Sequence, residues 1–274
     1  MKTVTISGGF DNIHSSNVRF LHEASKIGHV NLQLWTDEII NRFTPETPVK
    51  FPLPERLYFL ESLRYVTKIQ IINELIGPDE LDLSQGTPEI WVLDESQASA
   101  EKLAFCAQKS IKPHIISKED LIGFPSYDSP FPVEPRPDRK KIIVTGCYDW
   151  LHSGHIRFFE EVSELGDLYV AVGHDANIRL LKGEGHPLFP AVERQYMVQS
   201  IRYVTKALIT SGLGWMDAAP EIEKIKPQAY AVNEDGDKPE KRAFCLEHGL
   251  EYLVLKRTPK SGLPKRQSTD LRGF

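Results

Sequence analysis

Ser7-Gly-Gly-Phe-Asp-Asn-Ile-His-Ser-Ser-Asn-Val-Arg-Phe20 and Thr145-Gly-Cys-Tyr-Asp-Trp-Leu-His-Ser-Gly-His-Ile-Arg-Phe158 are two spellings of one segment, 138 positions apart from Ser7 to Thr145. The same offset relates FPLPERLYFLESLRYVTK from Phe51 to FPAVERQYMVQSIRYVTK from Phe189, and EKLAFC from Glu101 answers EKRAFC from Glu240 after a slip of one residue. A register held that long marks two copies of one module. Between them Gly123 to Arg139, GFPSYDSPFPVEPRPDR, carries prolines too closely spaced for a helix or a central strand. The expected division is a first module over 1–122, a Pro-rich linker over 123–140 and a second module over 141–274.

Working outward from Thr145, KIIVTG (Lys141 to Gly146) is a β-branched run that stops at a turn. SGHIRFFEEVSELG is amphipathic, with Gly166 as its C-terminal stop, and DLYVAVG is a second strand. VERQYMVQSIRYV reads as a helix, ALITS as a strand, APEIEKIK as a helix, and AYAVNE and YLVLKR as later strands. The alternation predicts an α/β fold of two tandem Rossmann-like modules. Each is a parallel sheet flanked by helices, with a ligand crevice at the strand carboxyl ends.

The net charge of −5 and pI near 6.0 give no global attraction to nucleic acid or acidic lipid, so small-molecule partners are expected. No stretch approaches the roughly 18 apolar residues of a membrane span, and MKTVTISGGF lacks the pattern of a secretory leader. A cytoplasmic location is the expectation. Cys106, Cys147 and Cys245 lie far apart without CxxC spacing, which indicates neither a disulfide framework nor a zinc site. No Walker A loop occurs.

Chemistry concentrates where the strand ending at Gly146 meets the helix entered through His155. Helix N-termini present unpaired backbone N–H groups and the positive end of the dipole. His152 and His155, three residues apart, fall on one face there, and Gly146 and Gly154 leave room for phosphate oxygens beside the backbone. A pair of histidines alone is often an ordinary packed or metal-binding pair, but zinc needs further ligands that this spacing does not offer.

With its strand before and its helix after, Gly146-Cys-Tyr-Asp-Trp-Leu-His-Ser-Gly-His155 resembles the GxFDxxHxGH signature of the cytidylyltransferase-like, or HxGH, nucleotidyltransferases, with Cys147 and Tyr148 in place of x-Phe. The resemblance implies a fold of the nucleotidyltransferase (HUP) type. It also implies a catalytic set of His152, His155, Lys182 and Arg272, and nucleotide contacts from Gly146, Cys147, Tyr148, Asp149, Gly154, Arg194, Arg257, Ser268 and Thr269. Lys182, on a glycine-containing loop after the second strand, would grip a phosphate. Arg194 resembles the family arginine, although its twin Arg56 in the other module also fits a structural ion pair. Arg257-Thr258 and Gln267-Ser-Thr-Asp-Leu-Arg272 resemble the family's RTxG and ISTT segments, with Arg266-Gln267 replacing Ile-Ser. No resident metal is expected, and Mg²⁺ would arrive on the triphosphate.

An acceptor phosphate, with a second pKa of about 6, is already nucleophilic near neutrality, so the implied reaction calls for positioning and charge stabilisation rather than a strong base. The tandem layout resembles ethanolamine-phosphate cytidylyltransferase, which implies CTP and a phospho-alcohol such as phosphoethanolamine. Arg179-Leu-Leu-Lys-Gly-Glu-Gly-His-Pro and Asp237-Lys-Pro-Glu resemble heptose-phosphate adenylyltransferases, which implies ATP and a sugar phosphate. The expectation favours CTP, with ATP as the alternative. A non-catalytic nucleotide-binding regulator is a third reading. Lys265-Arg-Gln-Ser-Thr echoes the second motif of class I aminoacyl-tRNA synthetases, but the acidic chain and lack of an anticodon-binding appendage argue against them. In the first module Ser16 and Asn17 replace the glycine and second histidine, and Thr44 stands where Lys182 does, so it is expected to be inactive. As a fused copy it would act as a built-in partner in an intramolecular pseudo-dimer.

Overall fold

In a computed structural model the protein is described over residues 2–75, 77–125 and 135–267 and at Leu271. The chain divides into two compact units, one ending at Phe124 and the other beginning at Pro125.

The first unit runs β1 (Thr3–Gly8), α1 (Ser15–Ile27), β2 (His29–Trp35), α2 (Asp37–Phe43), α3 (Leu53–Ser62), β3 (Val66–Ile72), β4 (Ile90–Asp94), α4 (Ala100–Lys109) and β5 (Lys112–Ile116). Its five parallel strands lie in the order β3-β2-β1-β4-β5.

The second unit runs β6 (Lys141–Gly146), α5 (Ser153–Leu165), β7 (Asp167–Val172), α6 (Asp175–Lys182), α7 (Ala191–Gln199), β8 (Val204–Ile209), α8 (Ala219–Ile225), β9 (Ala229–Asn233), α9 (Pro239–Glu247) and β10 (Glu251–Leu255). Its parallel order, β10-β9-β6-β7-β8, repeats the first unit strand for strand. The chain moves outward from β6 through β7 to β8, then returns to lay β9 on the other side of β6. That reversal opens a crevice at the carboxyl ends of β6 and β9.

Strands covered on both faces carry continuous apolar runs. Ile142, Ile143 and Val144 of β6 are fully buried, as are all six residues of β7. Ile156, Phe159 and Val162 recur at helical spacing and bury one face of α5. Across the sheet Ile143, Tyr169, Tyr230 and Val232 pack with Ala218 and Ile222 of the α8 segment and Cys245 of α9. All three cysteines are free thiols.

Two details differ from the sequence reading. α7 stops at Gln199, because Val204 already pairs with Leu168 as the first residue of β8. Lys182 sits not on a loop but at the last position of α6, followed by Gly183 at φ +87°. Gly166 ends α5 as expected, in extended backbone, and a β-carbon there would lie 2.4 Å from the Lys140 carbonyl oxygen. Close strand-to-helix approach, not φ, is what calls for glycine at 166. Among the described residues no helix is long and apolar enough to cross a membrane.

Candidate active site

β6 delivers the chain to the crevice, and Tyr148 turns it with φ +55°, a left-handed conformation costly for a residue with a β-carbon. The turn folds the buried Tyr148 ring over Gly146, where an added β-carbon would meet Cζ at 2.7 Å. At Gly154 an added β-carbon would stand 3.0 Å from the His152 ring. The space expected beside these two glycines for phosphate is therefore filled by rings of the same motif. Burial pushes the Tyr148 phenol well above its ordinary value, which keeps it neutral.

Asp149 and Arg194 hold the walls. Both Asp149 carboxylate oxygens accept from Leu188 N, at 2.8 and 2.9 Å, and one also accepts from Phe189 N at 3.0 Å. Arg194, 1 % exposed, donates to the carbonyls of Phe189, Cys147 and Gly173 and, at 2.6 Å, to Asp175. Asp11 and Arg56 repeat this arrangement in the first unit with Lys50, Phe51, Gly9, Trp35 and Asp37. The nucleotide contact expected of Arg194 thus meets a guanidinium already committed to four protein acceptors, and the geometry makes it a positioning residue.

His152 is the N-cap of α5, and its Nδ1 accepts from Gly154 N at 3.1 Å. A neutral imidazole accepting at Nδ1 carries its proton on Nε2. That Nε2 is buried and has no hydrogen-bond partner among the described residues. The His155 ring stacks on the His152 ring with centroids 4.0 Å apart and 29° between the planes, and its buried Nδ1 is likewise unpartnered among the described residues. Burial, with the cations Arg257 and Lys182, holds the His155 pKa down at about 3 against a weaker opposing hydrogen bond at the Trp150 backbone. Burial and the neighbouring His155 and Arg257 depress His152 still further.

A stability consequence follows. Below pH 6.5 the unfolded chain protonates these imidazoles while the folded chain does not, so the unfolded state binds more protons and stability must fall with pH. The contribution is fully present above 6.5 and is lost progressively down to about 3. Urea midpoints measured across this window should decline, and His155→Gln should make the decline shallower. An unchanged slope would contradict the depressed pKa.

Both residues line a cleft of about 340 Å³. Its lining includes Gly146, Cys147, Tyr148, Asp149, Gly154, Lys182, Arg257 and Gln267, which places most of the sequence-expected residues around one space. Burial pushes the Cys147 thiol up, so it stays protonated despite Lys182 and Arg194 nearby. Arg257 pairs with Asp235 and donates to Arg266 O at 3.0 Å. Ser268, Thr269 and Arg272 lie outside the described residues. Asn233, Asp235, Gly236 and Lys241, on the β9 side, were not anticipated, although the crevice rule for the strand beside β6 points to that edge. Among the described residues no group of three His, Cys, Asp or Glu side chains is placed to hold a metal ion.

Residues 143–259 match the family model described as cytidylyltransferase-like. The FAD synthase of Ferroglobus placidus is 36% identical over 120 residues, which covers 43% of this chain and 75% of that protein. The FAD synthase of Methanocella paludicola is 30% identical over 135 residues, 48% of this chain and 93% of that one. The bifunctional protein HldE of Nitratiruptor is 40% identical over 72 residues, 26% of this chain and 16% of its own length.

Proposed function

This chain belongs to the cytidylyltransferase-like family and is a nucleotidyltransferase, and from that premise we propose that its second unit transfers AMP from ATP to a small phosphorylated acceptor and releases pyrophosphate. The observation that carries the reading is the buried, unpartnered Nε2–H of His152 at the N-terminus of α5, in a residue that lines a cleft with cations on its walls. A buried donor without a partner is costly, and an anionic oxygen there removes the cost.

In the proposed reaction an acceptor phosphate oxygen attacks the α-phosphorus in line. The new P–O bond forms as the bond to the β-phosphate oxygen breaks, and the electron pair leaves with pyrophosphate. His152, His155, the first N–H groups of α5 and Lys182 stabilise the charge on the equatorial oxygens and leaving group. Gly146, Cys147, Tyr148 and Gly154 shape the floor, and Asp149 and Arg194 hold it. Ser268, Thr269 and Arg272 remain in the proposed phosphate-binding set on the strength of the motif. The Asp149 carboxylate is taken by backbone amides and Asp235 by Arg257, so the donor set fits magnesium entering as MgATP on phosphate oxygens.

ATP replaces the CTP favoured from the tandem layout. FAD carries an adenylyl group joined to a flavin phosphate, so relatives named FAD synthase support an adenylyl donor, as do the Arg179 and Asp237 segments. The acceptor class is a phosphate monoester, with flavin mononucleotide and sugar phosphates ahead of phosphoethanolamine. The first unit has the same strand order but not the same site. Asn17 Oδ1 accepts from His14 N at 2.9 Å, folding back over its own helix end, and Thr44 Oγ1 donates to Ile40 O. We assign it no catalysis and a role as tandem partner to the second unit. Pyrophosphate release measured with each of the four triphosphates against these acceptors should show turnover with ATP. Turnover with CTP alone would overturn the choice of donor, and triphosphate binding without release would make the protein a sensor.

A further inference from the structure

Lys241, in the first turn of α9, lines the cleft from the β9 side, whereas Lys182 reaches it from the end of α6, after β7. Its Nζ donates to Gly236 O at 3.1 Å and lies 6.0 Å from the centre of the Tyr230 ring. No carboxylate lies within ion-pairing distance of it among the described residues. The nearby acids are engaged elsewhere, Asp235 by Arg257 and Asp237 by Arg242. A cation in a helix's first turn also faces the positive end of the dipole. Burial lowers its pKa, with Lys238 adding to the effect.

The corresponding residue of the first unit is the measure of what is unusual here. Lys102 occupies the same place in α4 and donates to Gln97 O at 3.0 Å, the carbonyl equivalent to Gly236 O, but it also has Asp79 at 3.9 Å. Bonding a turn carbonyl is therefore common to both lysines. The missing carboxylate is particular to Lys241. An ammonium has three donors, and the two that Gly236 leaves over suit an anionic ligand.

We propose that Lys241 is a nucleotide-binding residue that donates to a triphosphate oxygen across the cleft from Lys182, an inference that rests on the triphosphate occupying that cleft. The two lysines would then bracket the phosphate chain, with the imidazole pair and the α5 N-terminus between them.

Calorimetric titration of the full-length protein with MgATP at two ionic strengths tests this. Lys241→Met should weaken binding by roughly tenfold or more, the loss of one charge-assisted hydrogen bond, and should make the salt dependence shallower. Lys241→Gln, which can still bond Gly236 O but has no charge, should lose as much, and Lys241→Arg should recover part. Lys102→Met, which removes the equivalent turn contact and the pair with Asp79 in the first unit, should bind as the wild type does. Wild-type affinity and salt slope in Lys241→Gln would overturn the proposal, as would an equal loss in Lys102→Met. Failure of the wild-type protein itself to bind MgATP or another triphosphate would instead overturn the functional reading, and this inference with it.

Discussion

Replacing His155 by alanine should lower turnover by about a hundredfold or more, the usual cost of removing one preorganised donor from charge that develops in a transition state. The Michaelis constant for ATP should move much less, because a contact that strengthens only as the α-phosphorus is attacked appears in kcat. His155→Asn, which writes the first unit's Asn17 into the second, should be as inactive, since that amide folds back on the helix cap. His14→Ala, at the first-unit counterpart of His152, should keep full turnover. Circular dichroism should show all three variants folded. Wild-type turnover in His155→Ala would remove the histidine from the reaction.

Arg194→Met is expected to have the largest effect on stability, about 3–5 kcal/mol, because it removes a buried guanidinium that satisfies three backbone carbonyls and pairs with Asp175. Methionine keeps much of the volume, but the carbonyls of Cys147, Gly173 and Phe189 and the Asp175 carboxylate all lose their donor. The melting temperature should fall on the order of 10 °C. Arg194→Lys should not rescue it, since a single ammonium cannot span acceptors that a planar guanidinium reaches together. These acceptors lie on the turn after β6, the end of β7, the start of α6 and the loop before α7, so the loss loosens the whole rim of the cleft. Were Arg194 instead a direct nucleotide ligand, the same variant would melt normally and bind ATP weakly.

Much of the second unit was legible because its signals are local. KIIVTG and the apolar spacing of Ile156, Phe159 and Val162 are matched by β6 and α5, and the histidine pair was readable from its place at the junction. What escaped notice depends on contacts distant in sequence. α6 spans only eight residues, and what anchors it is Asn177 bonded to Gly214 N and O, with His174 on Gly212 O. Nothing near Lys182 announces that support. Arg194 and Asp149 were read as ligands because a motif records which residues recur, not which acceptors they face. Lys241 was hidden by the repeat itself: a Glu-Lys pair present in both copies looks like scaffold until Asp79 is found paired with one lysine and, among the described residues, no acid within ion-pairing distance of the other.

The choice of ATP came from outside the motif. The signature around His152 addresses phosphates, which every nucleoside triphosphate shares, so it is silent on the base. The tandem layout drew the reading toward CTP, whereas the similarity to FAD synthases, confined to less than half of the chain, draws it toward adenylyl transfer.

The most direct test of the account is a crystal structure of the full-length protein with a non-hydrolysable ATP analogue and magnesium. The account predicts phosphate oxygens within hydrogen-bonding distance of His152 Nε2 at the N-terminus of α5, with His155 facing the same phosphates. An analogue bound with its phosphates away from β6 and α5, and His152 Nε2 still unpartnered, would contradict it.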